Sequence, residues 1–426
     1  MIKFSNQLKS SIFAFVMAAR MVATIMVLMP IAALAQEPLK IGFSMSLSGP
    51  LGSGGKSTLL AFEMWRDDVN AKGGLLGRPV ELVYYDDQSN SSLVPGIYTK
   101  LLDVDKVPMV VSGYATNQIA PAMPIVIRKN MVFMALFGTG VNDNFNYDKY
   151  FQILPNGKET KLAPSRGFLK TAMTMTPPPR TIALVGADAE YSQNSLSGAR
   201  EIAKGLGLQI VYDRSYPPTT TDFSPIIRGI QAAKPDVVYV ASYPLDTVGI
   251  IRAANEVRLE TKMFGGGMIG LGFGSIKQQL GPLLNGIVSY DLYSPEPTMK
   301  FPGLDEFLAR YREKAAAAGT DPLGFYLPPF AYAEMQILTE AITKVGNLDQ
   351  EKIASYIHAN TLHTIVGDVK FAENGEWEKE RVIFVQYQGV VGNSIDQFRQ
   401  AGKAVIIYPS ELRSGTFRYP YNDPKN

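Results

Sequence analysis

The chain has 426 residues, of which 46% are apolar and 19% charged, and its formal net charge is +2. This length and apolar fraction predict a large core divided among two or more domains. The charge balance, with no basic stripe interleaved with aromatic residues, argues against nucleic-acid binding, and the lack of cysteine excludes disulfides, thiol nucleophiles and cysteine-ligated metals.

The N-terminus has the pattern of a secretory signal peptide. Lys3, Lys9 and Arg20 precede an apolar run over 21–34, and small residues end it at Ala35. This predicts a signal peptide over 1–35, cleaved after Ala35, and export to the periplasm. The alternative is a membrane anchor, but the apolar segment is about 15 residues long, short of the roughly 20 that span a bilayer.

Strands and helices then alternate in two sets of similar size. The first set of predicted strands and helices covers Leu39–Leu47, Thr58–Asn70, Val80–Tyr85, Ser92–Val104, Pro108–Ser112, Pro121–Lys129 and Val132–Leu136. The second set covers Thr181–Val185, Gln193–Gly205, Gln209–Tyr212, Phe223–Ala233, Asp236–Ala241, Thr247–Val257 and a strand that begins at Met263–Phe264. Short apolar strands separated by amphipathic helices predict parallel sheets covered on both faces.

Two helices and a β-rich tail follow these sets, and three connectors separate the parts. The helices are Leu304–Ala318 and Pro329–Val345, the tail strands Arg381–Tyr387 and Ala404–Tyr408, and the connectors Leu154–Gly157, Ser289–Pro295 and Thr364–Gly367. The predicted fold class is α/β, with two doubly wound parallel-sheet lobes joined by a three-crossing hinge. Lobe 1 is expected over 37–155 plus 291–365, lobe 2 over 156–290 plus 366–415, and a C-terminal tail over 416–426. Such a hinge places a ligand cleft between the carboxyl ends of both sheets.

The glycine-rich loop over 48–58 follows a strand and opens a helix. A phosphate loop would need glycine where Pro50 stands, so that interpretation fails. Amides at a helix N-terminus still attract anions, and glycines allow close approach. Ser53 and Gly54 are therefore candidate ligand contacts, with a plain tight turn as the alternative.

Other candidates lie just past predicted strand ends, where loops face the cleft. The residues singled out are Asn117, Gly138, Thr139 and Gly140 in the first lobe and Tyr191 and Tyr243 in the second. The glycine loop can offer backbone amides and one hydroxyl, and the phenols can stack on a ligand and hydrogen-bond to it. Turn formation and ordinary packing are the alternatives.

Nothing in the sequence favours catalysis. His358 and His363 lie beside a predicted helix end, which suits a surface or capping role, and no Gly-x-Ser-x-Gly motif or metal-ligand spacing occurs. Asp86–Asp87 is predicted to be a solvated turn and Trp65 a core residue. We expect no enzymatic activity, no cofactor and no bound metal.

Several segments in order resemble the branched-chain amino-acid binding proteins of ABC importers, within the type I periplasmic binding proteins. They are Leu39-Lys40-Ile41-Gly42 leading to Ser48-Gly49-Pro50-Leu51, the run from Val69 to Gly77, Tyr85-Asp86-Asp87, the run from Pro235 to Tyr239, and Gly367 leading to Glu373-Asn374-Gly375. The resemblance implies a protein that binds a small carboxylated solute and docks on a membrane permease, and we expect it to be monomeric and non-enzymatic.

The resemblance also implies positions for the binding residues. It supports the strand-end candidates above and adds an apolar position near Tyr326 and Leu327. The aromatic residue that the family often has in its first loop is replaced near Gly54, which predicts a more open pocket on that side. Glycine at 140, where a hydroxyl residue is usual, weakens side-chain contact there.

One departure concerns the ligand's ammonium group. Amino-acid binders of this family have an acidic residue after the strand at Met263, whereas residues 264–270, including Gly267, contain none. An unpaired buried ammonium would cost several kcal/mol. The ligand is therefore predicted to be a carboxylate without a free α-amino group, an aromatic or other hydrophobic acid, with the glycines leaving space for a bulky body. The rival is an amino acid whose ammonium meets Asp188 or Glu190. A periplasmic sensor partner and an exported hydrolase are the other function classes.

Overall fold

A computed structural model describes residues 37–423. The predicted signal peptide over 1–35 lies outside the described residues. Within residues 37–423, no helix is long and apolar enough to cross a membrane.

The first sheet has five parallel strands in the order β2-β1-β3-β4-β5. Its strands are β1 (Leu39–Met45), β2 (Val80–Asp86), β3 (Met109–Tyr114), β4 (Phe133–Leu136) and β5 (Tyr150–Gln152). The helices connecting them are α1 (Gly52–Ala71), α2 (Val94–Thr99), α3 (Thr116–Ile119) and α4 (Met123–Arg128).

The second sheet has seven strands in the order β14-β13-β10-β9-β8-β6-β7, of which β13 and β14 run antiparallel to their neighbours β10 and β13. Its strands are β6 (Thr181–Ala187), β7 (Gln209–Tyr216), β8 (Val237–Ser242), β9 (Met263–Met268), β10 (Val288–Asp291), β13 (Ile383–Tyr387) and β14 (Ala404–Tyr408). The associated helices are α5 (Ala163–Ala172), α6 (Glu190–Gly205), α7 (Ser224–Ala233), α8 (Pro244–Val257) and α9 (Gly274–Leu280).

Three helices and a hairpin complete the first lobe. They are α10 (Leu304–Ala318), α11 (Pro328–Val345), α12 (Gln350–Ala359), β11 (Leu362–Thr364) and β12 (Gly367–Val369). Trp65 of α1 is buried, as predicted, and its indole N–H donates to Thr339 of α11 at 2.9 Å. This contact ties the late helices to the first sheet, so the lobe is discontinuous in sequence.

The strands form where the sequence is apolar on both faces. The β1 residues Leu39, Ile41, Phe43 and Met45 are fully buried, and every residue of β8 is buried. Burial on both faces is the property that distinguishes parallel sheets covered by helices. The two-lobed α/β prediction is confirmed.

The third crossing lies later in the chain than the predicted connector at Thr364–Gly367. Those residues belong to the β11–β12 hairpin, and Gly375 still accepts a backbone hydrogen bond from Gln152 of β5 at 2.8 Å. The chain reaches the second sheet only at Ile383. A single strand pair inside a turn-rich stretch has too little apolar pattern to reveal this from sequence.

The prediction for Asp87 was wrong. Its side chain is 1% exposed and accepts hydrogen bonds from the hydroxyls of Ser44 (2.7 Å) and Ser46 (2.5 Å) and from the amide of Ser89 (2.9 Å). This buried carboxylate fixes the end of β1 to the loop that follows β2. The two hydroxyl partners come from the end of the neighbouring strand β1, so sequence spacing gave no sign of them.

Candidate functional site

The carboxyl ends of the two sheets face each other and are bridged by direct hydrogen bonds. Tyr243, which follows β8, donates its hydroxyl proton to Oδ1 of Asn117 at 2.7 Å. Asn194 of α6 donates through Nδ2 to the carbonyl oxygen of Thr139 at 2.8 Å. The predicted residues Asn117 and Tyr243 therefore meet across the cleft, and the predicted Thr139 meets Asn194, which was not predicted.

The two phenols predicted in the second lobe pack against each other. The rings of Tyr191 and Tyr243 lie edge to face with centroids 5.8 Å apart, and the Tyr191 amide donates to the Tyr243 oxygen at 3.2 Å. The Tyr191 hydroxyl donates to the carbonyl of Gly267 at 3.0 Å. Burial raises the pKa of both phenols, so they remain neutral hydrogen-bonding groups.

A small central cavity of about 20 Å³ lies between the lobes at this point. Aromatic side chains dominate its wall, and they are Tyr114, Phe137, Tyr191, Tyr243, Tyr290 and Tyr326. Tyr326, predicted only as a position near the late helix, packs edge to face on Phe137 at 5.1 Å between centroids. Tyr114 and Tyr290 were missed. Tyr114 ends β3 and could have been found by the strand-end rule, whereas Tyr290 lies in a strand predicted to be a connector.

Two residues of the first lobe adopt strained backbone conformations beside this cavity. Ala115 has φ +88° and Phe137 has φ +68°. Left-handed backbone in residues with a side chain costs of order 1–3 kcal/mol and is concentrated at functional sites. The strain places both residues at the tips of β3 and β4, in the wall of the central cavity.

The loop 138–140 offers fewer free backbone donors than the sequence predicted. The Thr139 amide already donates to Oγ1 of Thr116 at 3.0 Å, and the Gly138 carbonyl accepts from Gln152 Nε2 at 2.8 Å. Gly140 has φ +70°, and a Cβ there would lie 2.5 Å from Lys161. Thr139 lines the central cavity, and Gly140 faces the lysine instead.

The glycines do not leave the cleft open, which corrects two predictions. A Cβ on Gly54 would lie 2.8 Å from the ring of Tyr114 and 3.0 Å from Leu327. A Cβ on Gly267 would lie 2.8 Å from the Tyr191 hydroxyl and 2.9 Å from that of Tyr239. Rings from other elements occupy the room that the missing side chains would have filled.

The glycine-rich loop is shorter than predicted, because α1 begins at Gly52. Ser53 is exposed in its first turn and lines neither the central cavity nor the larger one described next. Gly54 of this loop packs against Tyr114 and against Leu327, which precedes α11, and does not form an open anion cradle.

A larger lateral cavity of about 730 Å³ adjoins the central one; Tyr243 lines both cavities, and Asn117 lines the lateral one. Its wall combines first-lobe residues with the loop 218–224 and one face of α8. Asp246, in the first turn of α8, lies in this wall and was missed by the sequence analysis. Burial is the largest influence on its pKa, which is raised to about 6.

The acids considered as ammonium partners lie elsewhere. Asp188 is exposed, and neither it nor Glu190 lines the central or the lateral cavity. Burial raises the pKa of Glu190. Asp246, three residues after Tyr243, is by contrast an acidic residue that lines the lateral cavity.

The two histidines lie away from the cleft. His358 contacts the carbonyl of Asp148 at 2.8 Å and packs on Phe151, and exposed His363 pairs with Asp368 at 2.7 Å. Among residues 37–423, no group of three His, Cys, Asp or Glu side chains has the arrangement of a metal site.

Comparison with known proteins agrees with this architecture. The family model described as periplasmic binding protein matches residues 38–402. The chain is 24% identical over 410 residues to the Leu/Ile/Val-binding protein homolog 7 of Brucella abortus, covering 91% of this chain and 96% of that protein.

Two solved structures are similar in fold. The branched-chain amino-acid transporter substrate-binding protein LivJ of Streptococcus pneumoniae, in complex with isoleucine, has a TM-score of 0.70 at 18% identity, covering 88% of this chain and 100% of that one. A solute-binding protein of an R. palustris ABC transporter, in complex with benzoate, has a TM-score of 0.71 at 16% identity, covering 87% and 95%. The chain therefore belongs to the periplasmic binding protein family and has the two-lobed α/β fold of its type I members.

Proposed function

We propose that the protein is an exported, non-enzymatic solute-binding protein that closes its two lobes around a small carboxylated molecule and delivers it to an ABC importer. The observation that carries the proposal is the direct bridge between the two lobes, in which Tyr243 binds Asn117 and Asn194 of α6 binds Thr139. A ligand at this position contacts both lobes at once.

Closure follows from that contact. A ligand that bridges both lobes binds the closed form better than the open one and shifts the population toward it. The central cavity of about 20 Å³ is far smaller than the ~300–1,000 Å³ of typical ligand sites. Binding therefore requires lobe opening or rotation of the phenols, with the Tyr243–Asn117 bond as the contact to be exchanged.

The site chemistry favours a hydrophobic or aromatic acid over an α-amino acid. The structurally similar proteins include one that binds isoleucine and one that binds benzoate, so relatives alone do not decide the class. Residues 264–270 supply no carboxylate, and Asp188 and Glu190 line neither cavity. Five phenol rings around the cavity instead offer apolar faces and neutral hydroxyls.

Titration calorimetry of the mature protein with benzoate and with leucine tests the ligand class. We expect the protein to bind benzoate at least ten times more tightly than leucine. Micromolar binding of leucine without detectable binding of benzoate would contradict the proposed ligand class. Tyr243→Phe should weaken benzoate binding by about 1 kcal/mol, the net worth of one hydrogen bond. Tyr84→Phe is the matched control, because Tyr84 stacks on Phe43 in the first sheet and lines neither cavity.

Export, monomeric state and partner are tested separately. Mass spectrometry of the secreted protein should find Gln36 as the first residue, and sedimentation should show a monomer. Benzoate uptake should depend on a permease and an ATPase. If a sensor kinase responds to benzoate only when this protein is present, and no uptake occurs, the signalling alternative is favoured. Turnover of small esters by the protein would favour a hydrolase.

A further inference from the structure

The lateral cavity has the dimensions of a ligand site in its own right. At about 730 Å³ it falls within the ~300–1,000 Å³ of small-molecule pockets. Leu51, Ser89 and Asn117 of the first lobe close one side, and residues 218–224 with the exposed face of α8 close the other. Since both lobes contribute, the cavity changes shape whenever the lobes move.

One carboxylate in this wall lacks a full set of hydrogen bonds. Asp246 Oδ2 accepts from the hydroxyl of Tyr216 at 2.5 Å. Asp246 Oδ1 is shielded from solvent yet makes no well-formed hydrogen bond. With its pKa raised to about 6 by burial, the group is ionised at neutral pH. Backbone amides at the start of α8 lie close enough to lower the pKa of Asp246 against the effect of burial, but Oδ1 makes no well-formed hydrogen bond with them, so a donor on a ligand would complete its set of partners.

The surrounding charges and surfaces define what kind of group fits. Asp222 and Glu256 also line the cavity, and Arg252 is the cation of this wall, so carboxylates outnumber cations three to one. Phe223 and Val248 supply apolar surface between them. The cavity therefore suits a cationic group carried on an apolar body.

We propose that the lateral cavity receives the end of the ligand remote from its carboxylate, and that Asp246 binds a protonated amino group there. This rests on the proposed function, because the carboxylate end is assigned to the central site. Tyr243 lines both cavities, and its hydroxyl donates to Asn117 in the lateral wall, so a ligand that replaces this hydrogen bond can extend from one cavity into the other. The ligand class is then a hydrophobic acid with an amino group set apart from the carboxylate.

The test compares two ligands that differ only at that end, 4-methylbenzoate and 4-(aminomethyl)benzoate, by titration calorimetry at pH 7.5. The wild-type protein should bind the amino compound at least tenfold more tightly. Asp246→Asn should abolish the preference while leaving 4-methylbenzoate binding within about twofold. Asp188→Asn is the matched control and should keep the preference, because Asp188 is exposed and lines neither cavity.

Equal affinity of the wild-type protein for both compounds would overturn the inference and leave the proposed function standing. Retention of the preference in Asp246→Asn would also overturn it. Binding of neither compound would overturn the inference, and the titrations with benzoate and leucine would then decide the proposed function separately. The wild-type comparison does not depend on the folding of any variant, and the melting temperature of each variant identifies folding defects.

Discussion

Glu334 is a buried acid that the structure gives no partner, and its replacement should stabilise the protein. The residue lies on α11, is 0% exposed, and neither carboxyl oxygen makes a hydrogen bond. Burial raises its pKa well above the ordinary 4.5. The folded protein therefore holds the neutral acid, and we expect Glu334→Leu, which fills a similar volume, to be more stable.

The magnitude follows from two costs. Leaving a buried polar group unsatisfied costs about 1–3 kcal/mol at any pH. In addition, the unfolded chain ionises above its ordinary pKa of 4.5 while the folded protein does not. Stability from this group is complete below pH 4.5 and falls as pH rises toward the folded pKa, by up to about 1.4 kcal/mol per pH unit. The advantage of Glu334→Leu should therefore grow from pH 5 to pH 7.

Urea unfolding monitored by circular dichroism at pH 5, 6 and 7 measures this. Glu334→Gln is the matched control, because it keeps a buried polar group but cannot ionise. Glu334→Gln should remove the pH-dependent destabilisation and retain the pH-independent cost of a buried polar group without a hydrogen bond. A Glu334→Leu protein that is less stable than wild type at pH 7, or a stability difference that does not change with pH, would refute the reasoning.

Three further changes test the cleft and the first lobe. Tyr243→Phe removes the hydroxyl that binds Asn117, so the closed form should lose about 1 kcal/mol, seen as a larger radius of gyration by X-ray scattering; unchanged scattering would contradict this. Asp87→Ala leaves three donors without their acceptor and should lower the free energy of unfolding by about 3 kcal/mol, whereas an unchanged value in urea titration would count against it. Gly55→Ala places a Cβ 1.8 Å from a carbonyl oxygen and should lower the free energy of unfolding by at least about 1–3 kcal/mol in the same urea titration. Its control is Gly205→Ala, whose Cβ would have no neighbour within 4 Å and which should leave stability unchanged or slightly raised.

The fold could be predicted where apolar runs are long. Strands such as β8 are buried throughout and stand out against amphipathic helices. The three-residue strand β5 was missed, because it is too short for its pattern to be recognised. Helix α5 was missed as well, since Pro164 and Gly167 break its helical propensity. Pro164 sits in the first turn, where proline is tolerated.

The site could be predicted in position but not in shape. The rule that loops after parallel strands face the cleft located Asn117, Tyr191 and Tyr243, which the structure brings into contact. It could not show that rings fill the space beside Gly54 and Gly267. The sequence shows that a glycine has no side chain, but not which neighbouring side chain fills the space beside it, because that depends on contacts between elements distant in sequence.

The rings that fill the space beside these glycines also bear on the class of ligand that the protein binds. Where Gly267 stands, any side chain would collide with the hydroxyls of Tyr191 and Tyr239, so a carboxylate at position 267 would have to displace both of them. The central site is thus lined by neutral groups, and the nearest cleft carboxylate is displaced beyond Tyr243 to Asp246. With the carboxylate in the central site, as proposed, a ligand whose amino and carboxylate groups share one carbon should place only one of them well, because Tyr243 separates the two cavities. Separation of charge along the ligand, rather than the size of its body, should therefore decide which solutes bind.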